Sequence, residues 1–235
     1  MRIRLLSLSI LFSLIYFKGL GQISDSEIIL LKRLDSVAQS SSVSSHFAKL
    51  YLETTTEAIS FFQKEDPGKR SFIQRLEQSF ASYFFNAAEA YKKGERISPV
   101  WQVYYEDPAL KALQYELLGI NAHINGDIWQ ALVSEFSVNE IQKNRLTFLQ
   151  FQKGLTVVYQ KFHEKAIKEN LRIKTLNNLS FGLDRLYGKL MLKRWRKRQV
   201  RLAEWHFNEP EKLKAALLRL NRKMSRINLL ILRHL

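Results

Sequence analysis

The sequence contains no cysteine, and only nine glycines and four prolines in 235 residues. Without cysteine the chain can form neither a structural disulfide nor a thiolate metal site. Sheet proteins spend glycine and proline on their turns, so the scarcity of both argues against a strand-rich fold and for long helices. There is no internal repeat, no glycine-rich phosphate loop and no Gly-x-Ser-x-Gly elbow. Nucleophilic catalysis by a serine elbow therefore has no support. The one long apolar run, Leu5 to Phe17, spans 13 residues, short of the roughly 20 that cross a bilayer.

That run has another reading. Arg2 and Arg4 precede it and Gly19-Leu20-Gly21 follows it, which is the pattern of a cleaved signal peptide over residues 1–21. The expected mature chain starts at Gln22 and is exported, to a periplasm or beyond. Residues 22–235 then form a single all-helical domain of about seven helices. Its 46% hydrophobic content is ordinary for one globular core.

Charge is present but confined. The formal net charge is +15, of which the leader carries three cations. Residues 189–235 hold 14 Lys and Arg against three Glu, a surplus of +11, and residues 22–188 are close to neutral. This is a neutral body with a basic end.

Capping and periodicity place the helices. Ser24-Asp25-Ser26-Glu27 is a capping box opening the first. After a serine-rich linker (Ser40 to Ser45), Phe47, Leu50, Tyr51, Thr54, Ala58 and Phe61 mark a second. Asp66-Pro67-Gly68 breaks it, and a third runs from about Ser71 to Lys93, closed by Gly94. Residues 96–106 read as a loop anchored by Trp101. Asp107-Pro108 reads as the start of a fourth helix carrying Leu113, Leu117, Ile120 and Ile124. Ser137 to Glu140 opens a long helix to about Glu169, and two more cover roughly 180–207 and 209–233.

The fourth helix interrupts its apolar pattern with Asn121, His123, Asn125 and Asp127. His123 and Asp127, four apart, share a face, and Glu116 lies near it. An imidazole and a carboxylate at that spacing can chelate a divalent metal such as zinc, or the carboxylate can fix the tautomer of the imidazole. The structural alternative is a satisfied buried pair. Two asparagines in one turn exceed what helix stability asks for, which favours a site, with Tyr51, Arg198, Arg201 and Trp205 as its surroundings.

The run Asn121-Ala122-His123-Ile124-Asn125-Gly126-Asp127 resembles the N-A-H-I-N-x-D signature of a bacterial family known only as a domain of unknown function. Phe47 to Leu52 resembles that family's F-x-x-L-Y-L opening, and Arg201 to Trp205 its R-x-x-x-W helix. The resemblance covers about residues 45–207 and implies no activity. His123-Ile124-Asn125-Gly126-Asp127 is also similar, more faintly, to a motif of the helical zinc-dependent phospholipase C and single-strand nuclease superfamily. Trp129 stands there in place of a ligand histidine. With five histidines in the chain, a trinuclear cluster cannot be built. That likeness implies at most a reduced metal site on His123 and Asp127, with one or two of Glu116, His46, His163 or His206, sufficient for hydrolysis of an ester or phosphodiester.

Lys189 to Arg201 packs seven cations into 13 residues, among them Lys193, Arg194, Arg196 and Lys197. These fit an anionic lipid or glycan surface. They also fit a solvated helix face. Tyr187, Met191, Trp195, Leu202 and Trp205 mark the expected buried stripe of that helix, and Leu213, Leu217, Leu220, Met224, Ile227 and Ile231 that of the next. Two functions follow: a small-ligand or metal site at His123, extending to a metal-dependent hydrolase, or a non-catalytic envelope protein that binds an anionic surface. An exported protein rarely meets nucleic acid.

Overall fold

The computed structural model describes residues 23–150, 152–180 and 183–235, and the leader expected over residues 1–21 lies outside them. Among the described residues every regular element is helical. In chain order these are α1 (Asp25–Ala38), α2 (Ser44–Phe62), α3 (Pro67–Lys93), α4 (Gln102–Glu106) and α5 (Ala112–Ile120). A π-helical turn, Asn121–Asp127, joins α5 to α6 (Ile128–Glu135). There follow α7 (Val138–Lys143), α8 (Arg145–Gln150), α9 (Gln152–Glu169), α10 (Leu171–Leu179), α11 (Leu183–Asn208) and α12 (Pro210–His234).

Local chemistry sets several of the boundaries. Ser24 and Glu27 close the capping box that opens α1. The Asp66 side chain accepts from the Lys69 N–H at 2.9 Å and Pro67 takes the first helical position, so α3 starts four residues before the expected Ser71. Gly94 ends α3 at φ 68°, in the left-handed region that glycine adopts freely.

Four expectations are corrected. Asp107-Pro108 opens no helix: Asp107 Oδ1 accepts from the Ala109 N–H at 2.8 Å, a local turn, and α5 begins at Ala112. Residues 96–106 are not all loop, because α4 lies within them. The long helix expected from Ser137 to Glu169 is three elements. Its first break falls at Asn144, whose side-chain amide donates back to the Glu140 carbonyl. Finally, α10 is an additional helix, started by Asn170, whose side chain caps the Arg172 and Ile173 N–H groups.

The element α5–π–α6 runs through the middle of the molecule. It packs on α2 and α3 on one side and on α11 and α12 on the other. One continuous core includes Leu34, Ala48, Phe84, Trp101, Leu132, Phe148 and Ala203. A smaller cluster of Leu202, Leu220 and Met224, with Trp129 and Trp205 against it, joins α11 to α12. The α12 stripe lies as its spacing predicts, with Leu220, Met224 and Ile231 buried and Leu213, Leu217 and Ile227 partly so.

The α11 stripe is rotated from its expected position. Arg196, Gln199, Val200 and Ala203 face inward, and Leu202 is buried as expected, while Met191, Trp195 and Trp205 are only half-buried. No helix of the described residues is long and apolar enough to cross a membrane.

Candidate functional site

The π-helical turn carries four deeply buried polar residues. Asn121, His123, Asn125 and Asp127 each expose 2% or less of their surface, while Leu117, Ile120 and Ile124 beside them are only half-buried. The turn is wound one residue wider than an α-helix, and the Ile128 N–H donates to the His123 carbonyl five residues back.

Two ladders of side chains spaced i, i+4 result, on opposite sides of the turn. His123 and Asp127 face α2, α3 and Trp101, and Asn121 and Asn125 face α11 and α12. On the second side Asn125 Nδ2 donates to Asn121 Oδ1 at 2.9 Å. Asn121 Nδ2 donates to the Met224 carbonyl at 3.1 Å and to Asn228 Oδ1 at 2.7 Å. Gln199 Nε2 reaches the Asn125 carbonyl at 3.4 Å. These bonds tie the turn to α11 and α12.

The first side carries the chemistry. Asp127 Oδ2 accepts from Trp101 Nε1–H at 2.8 Å and lies 2.9 Å from His123 Nδ1. Indole is only a donor, so Oδ2 accepts from it, and an ionised Asp127 would place the imidazole proton on Nδ1. His123 Nε2 is buried and without a hydrogen-bond partner among the described residues. Burial holds His123 well below its ordinary pKa, so the ring is neutral. Burial also drives the Asp127 carboxyl well up, and the Trp101 hydrogen bond opposes it.

Aromatic rings enclose the imidazole. Phe80 stacks on it at 3.4 Å between centroids and 12° between planes, and Tyr51 meets it edge-on at 4.6 Å. Phe47, Phe84 and Trp101 complete the enclosure. Two glycines permit this packing. A Cβ at Gly119 would overlap the Phe47 ring, and one at Gly126 would overlap Val100 Cγ1 and push away the segment that delivers Trp101 to Asp127.

Tyr51 and Thr55, one turn apart on α2, both point buried hydroxyls without a hydrogen-bond partner among the described residues. Burial pushes the Tyr51 phenol well above its usual pKa, and the carboxyls of Glu77 and Asp127 add to the push. Glu77, on α3, is itself buried, and desolvation lifts it to about 7 against the opposing pull of Arg196. Arg196 is lowered by burial to about 10 and lies over the Phe148 ring at 4.9 Å. A cleft is lined by Glu27, Leu30, Ile59, Ile73, Gln74 and Glu77, the last one turn from Phe80 on α3.

The sequence-predicted residues therefore divide. His123, Asn121, Asn125, Asp127 and Tyr51 come together. Glu116 does not join them; it is half a helix away, ion-paired to Lys165 at 2.5 Å. Arg198 is half-buried and Arg201 exposed, its guanidinium 5.9 Å from the Trp205 ring, and neither pairs with Asp127 or Glu116. Lys193, Arg194 and Lys197 are exposed, but Arg196 turns inward to Glu77. His46 stacks on Tyr115 at 5.0 Å, and His206 is exposed.

Glu77 and Gln199 escaped the sequence reading, and Arg196, expected on the anion-facing side, is buried instead. Glu77 had a signal: it lies four after Ile73, three before Phe80 and seven before Phe84, all buried. No group of three or more His, Asp or Glu among the described residues comes together to hold a metal ion. Asp127 is spent on Nδ1 and Trp101, so the pair does not chelate, and the residues do not fit the zinc site implied by the fainter likeness.

The sequence model of a family of unknown function, DUF5995, matches residues 27–234, and the chain belongs to that family. The match extends beyond the residues 45–207 on which the resemblance was read. No curated protein and no solved structure matches the chain.

Proposed function

We propose that this member of the DUF5995 family binds a small polar ligand at the buried centre between α2, α3 and the π-helical turn. The observation that carries the reading is the buried His123 Nε2, fixed by Asp127 and enclosed by rings, with no partner among the described residues. Leaving a buried acceptor unpaired costs about 1–3 kcal/mol. A wide helical turn that creates such an atom is a recurrent mark of a working site. Nε2 accepts, and the Tyr51 and Thr55 hydroxyls accept or donate. The ligand that satisfies them carries N–H or O–H donors.

The same geometry weighs binding against catalysis. A general base works best with a pKa near the working pH, and burial takes His123 far below it. Recognition is thus better supported than ester or phosphodiester hydrolysis. Export belongs to the proposal too, supported by the leader pattern of residues 1–21.

One experiment reads both. The protein is recovered from outside the producing cytoplasm and weighed by mass spectrometry under denaturing and native conditions. The denatured mass should correspond to a chain starting at Gln22. The native mass should exceed it by a constant small increment that is absent from His123→Phe, a variant that keeps the ring stacked on Phe80. Equal native and denatured masses for the wild type, or the same increment in the variant, would refute the ligand site. A retained leader would refute export alone.

A further inference from the structure

The hairpin of α11 and α12 carries two stripes of cations with identical spacing. On α11 they are Arg194, Lys197, Arg198 and Arg201, and on α12 Arg219, Arg222, Lys223 and Arg226. Each set falls at i, i+3, i+4 and i+7, so each lines one face of its helix. The structure brings the stripes side by side: α11 and α12 pack through Leu202, Leu220 and Met224, and the charges of Arg198 and Arg194 add to burial in lowering the Lys223 pKa. Like charges at this range repel, and no Asp or Glu among the described residues pairs with any of the eight. Arg198 also buries one guanidinium nitrogen, Nη1, without a hydrogen-bond partner among the described residues. A face assembled against its own repulsion, with an unmet donor in the seam, is built for an anion.

Exposed leucines decide which anion. Leu190 lies one turn before Arg194 on the α11 stripe, and Leu218, Leu229 and Leu230 flank the cations of α12. Leu218 and Leu230 are 57% and 58% exposed. Because the two helices run antiparallel, Leu190 falls at the same end of the hairpin as Leu229 and Leu230. A soluble polyanion satisfies the cations and leaves these leucines in water. A bilayer surface takes both: the leucines enter the acyl boundary and the cations meet the headgroups.

We propose that the α11–α12 face is a docking surface for an anionic lipid bilayer, on which the protein lies without spanning it. Each cation near an anionic surface contributes about fivefold to partitioning at low salt, an effect that salt screens.

The test uses the full mature chain and sedimentation with vesicles of phosphatidylcholine alone or with phosphatidylglycerol added. Binding should require the anionic lipid and weaken as salt rises. The quadruple variant Arg194→Gln, Lys197→Gln, Arg222→Gln, Arg226→Gln should lose binding by about a hundredfold or more, since all four positions are exposed. Leu229→Ser with Leu230→Ser, at full charge, should lose at least about fivefold, as expected when buried apolar area is removed. Unchanged helicity and thermal midpoint confirm that both variants are folded. Equal binding to neutral vesicles, no binding to either, or an undiminished quadruple variant would overturn the proposal. If the leucine variant binds as well as the wild type, the face serves a soluble polyanion, and the bilayer assignment falls.

Discussion

Asp127→Ala is expected to cost about 2–6 kcal/mol of unfolding free energy. The substitution removes the acceptor of two buried donors, Trp101 Nε1–H and His123 Nδ1–H. Each donor left unpaired in a closed core costs about 1–3 kcal/mol. Both rings sit among Phe47, Phe80 and Phe84, away from bulk water. The loss is a large part of the 5–15 kcal/mol that holds a typical domain together. Denaturant titration of the single variants and of the double variant with Trp101→Phe checks it. In the Trp101→Phe background one donor is already gone, so Asp127→Ala should cost about 1–3 kcal/mol less. A cost below about 0.5 kcal/mol, the usual range for an unimportant surface change, would mean that Asp127 is not the anchor of the turn.

Glu77 should make the protein less stable as pH rises. Burial lifts its carboxyl from an ordinary 4.5 to about 7. Below about pH 4.5 both folded and unfolded chains hold the proton, and Glu77 contributes nothing to the pH dependence. Between 4.5 and 7 the unfolded chain releases it while the folded chain keeps it, so stability falls with rising pH and levels off above 7. A shift of that size corresponds to about 3 kcal/mol. Glu77→Gln removes this slope, and the difference between wild type and variant isolates it from every other titrating group. Thermal unfolding of both from pH 4 to 8 should show the curves parting across that window. Parallel curves would mean that Glu77 is ionised throughout and fully compensated by Arg196.

Both predictions rest on polar residues inside a helical core, and the sequence discloses such residues unevenly. The segment from Asn121 to Asp127 stands out because asparagine is costly within a helix, but its burial exceeds that of Leu117, Ile120 and Ile124 beside it, which the apolar pattern does not show. Its π-helical winding is not legible either, since no residue type demands an i→i+5 turn. That turn arises when the element has to satisfy α2 and α3 on one side and α11 and α12 on the other. Arg196 is hidden for a related reason. Trp195 beside it is the better core residue by hydropathy, so the expected stripe on α11 is drawn through the tryptophan.

The actual stripe passes through Arg196 and Gln199, where the Arg196 guanidinium lies over the Phe148 ring and Glu77 is near enough to act on its charge. Only the folded structure reveals that. The helix boundaries show the same division. Where a side chain closes its own cap, as at Ser24, Asp66 and Ser137, the start is legible. At Asp107 the side chain caps a turn instead. An aspartate before a proline suits either role, so that boundary is set by packing.

The central claim is that His123 is a neutral ring with its proton on Nδ1 and a free lone pair on Nε2, aimed at a ligand. Nitrogen-15 NMR of protein labelled at its histidine rings tests it most directly. One imidazole, missing from the spectrum of His123→Phe, should show a protonated Nδ1 and an unprotonated Nε2, unchanged from pH 8 down to about 5, because burial keeps the folded ring from taking a proton near its ordinary 6.5. A ring that protonates near 6.5, or that carries its proton on Nε2, would contradict the account.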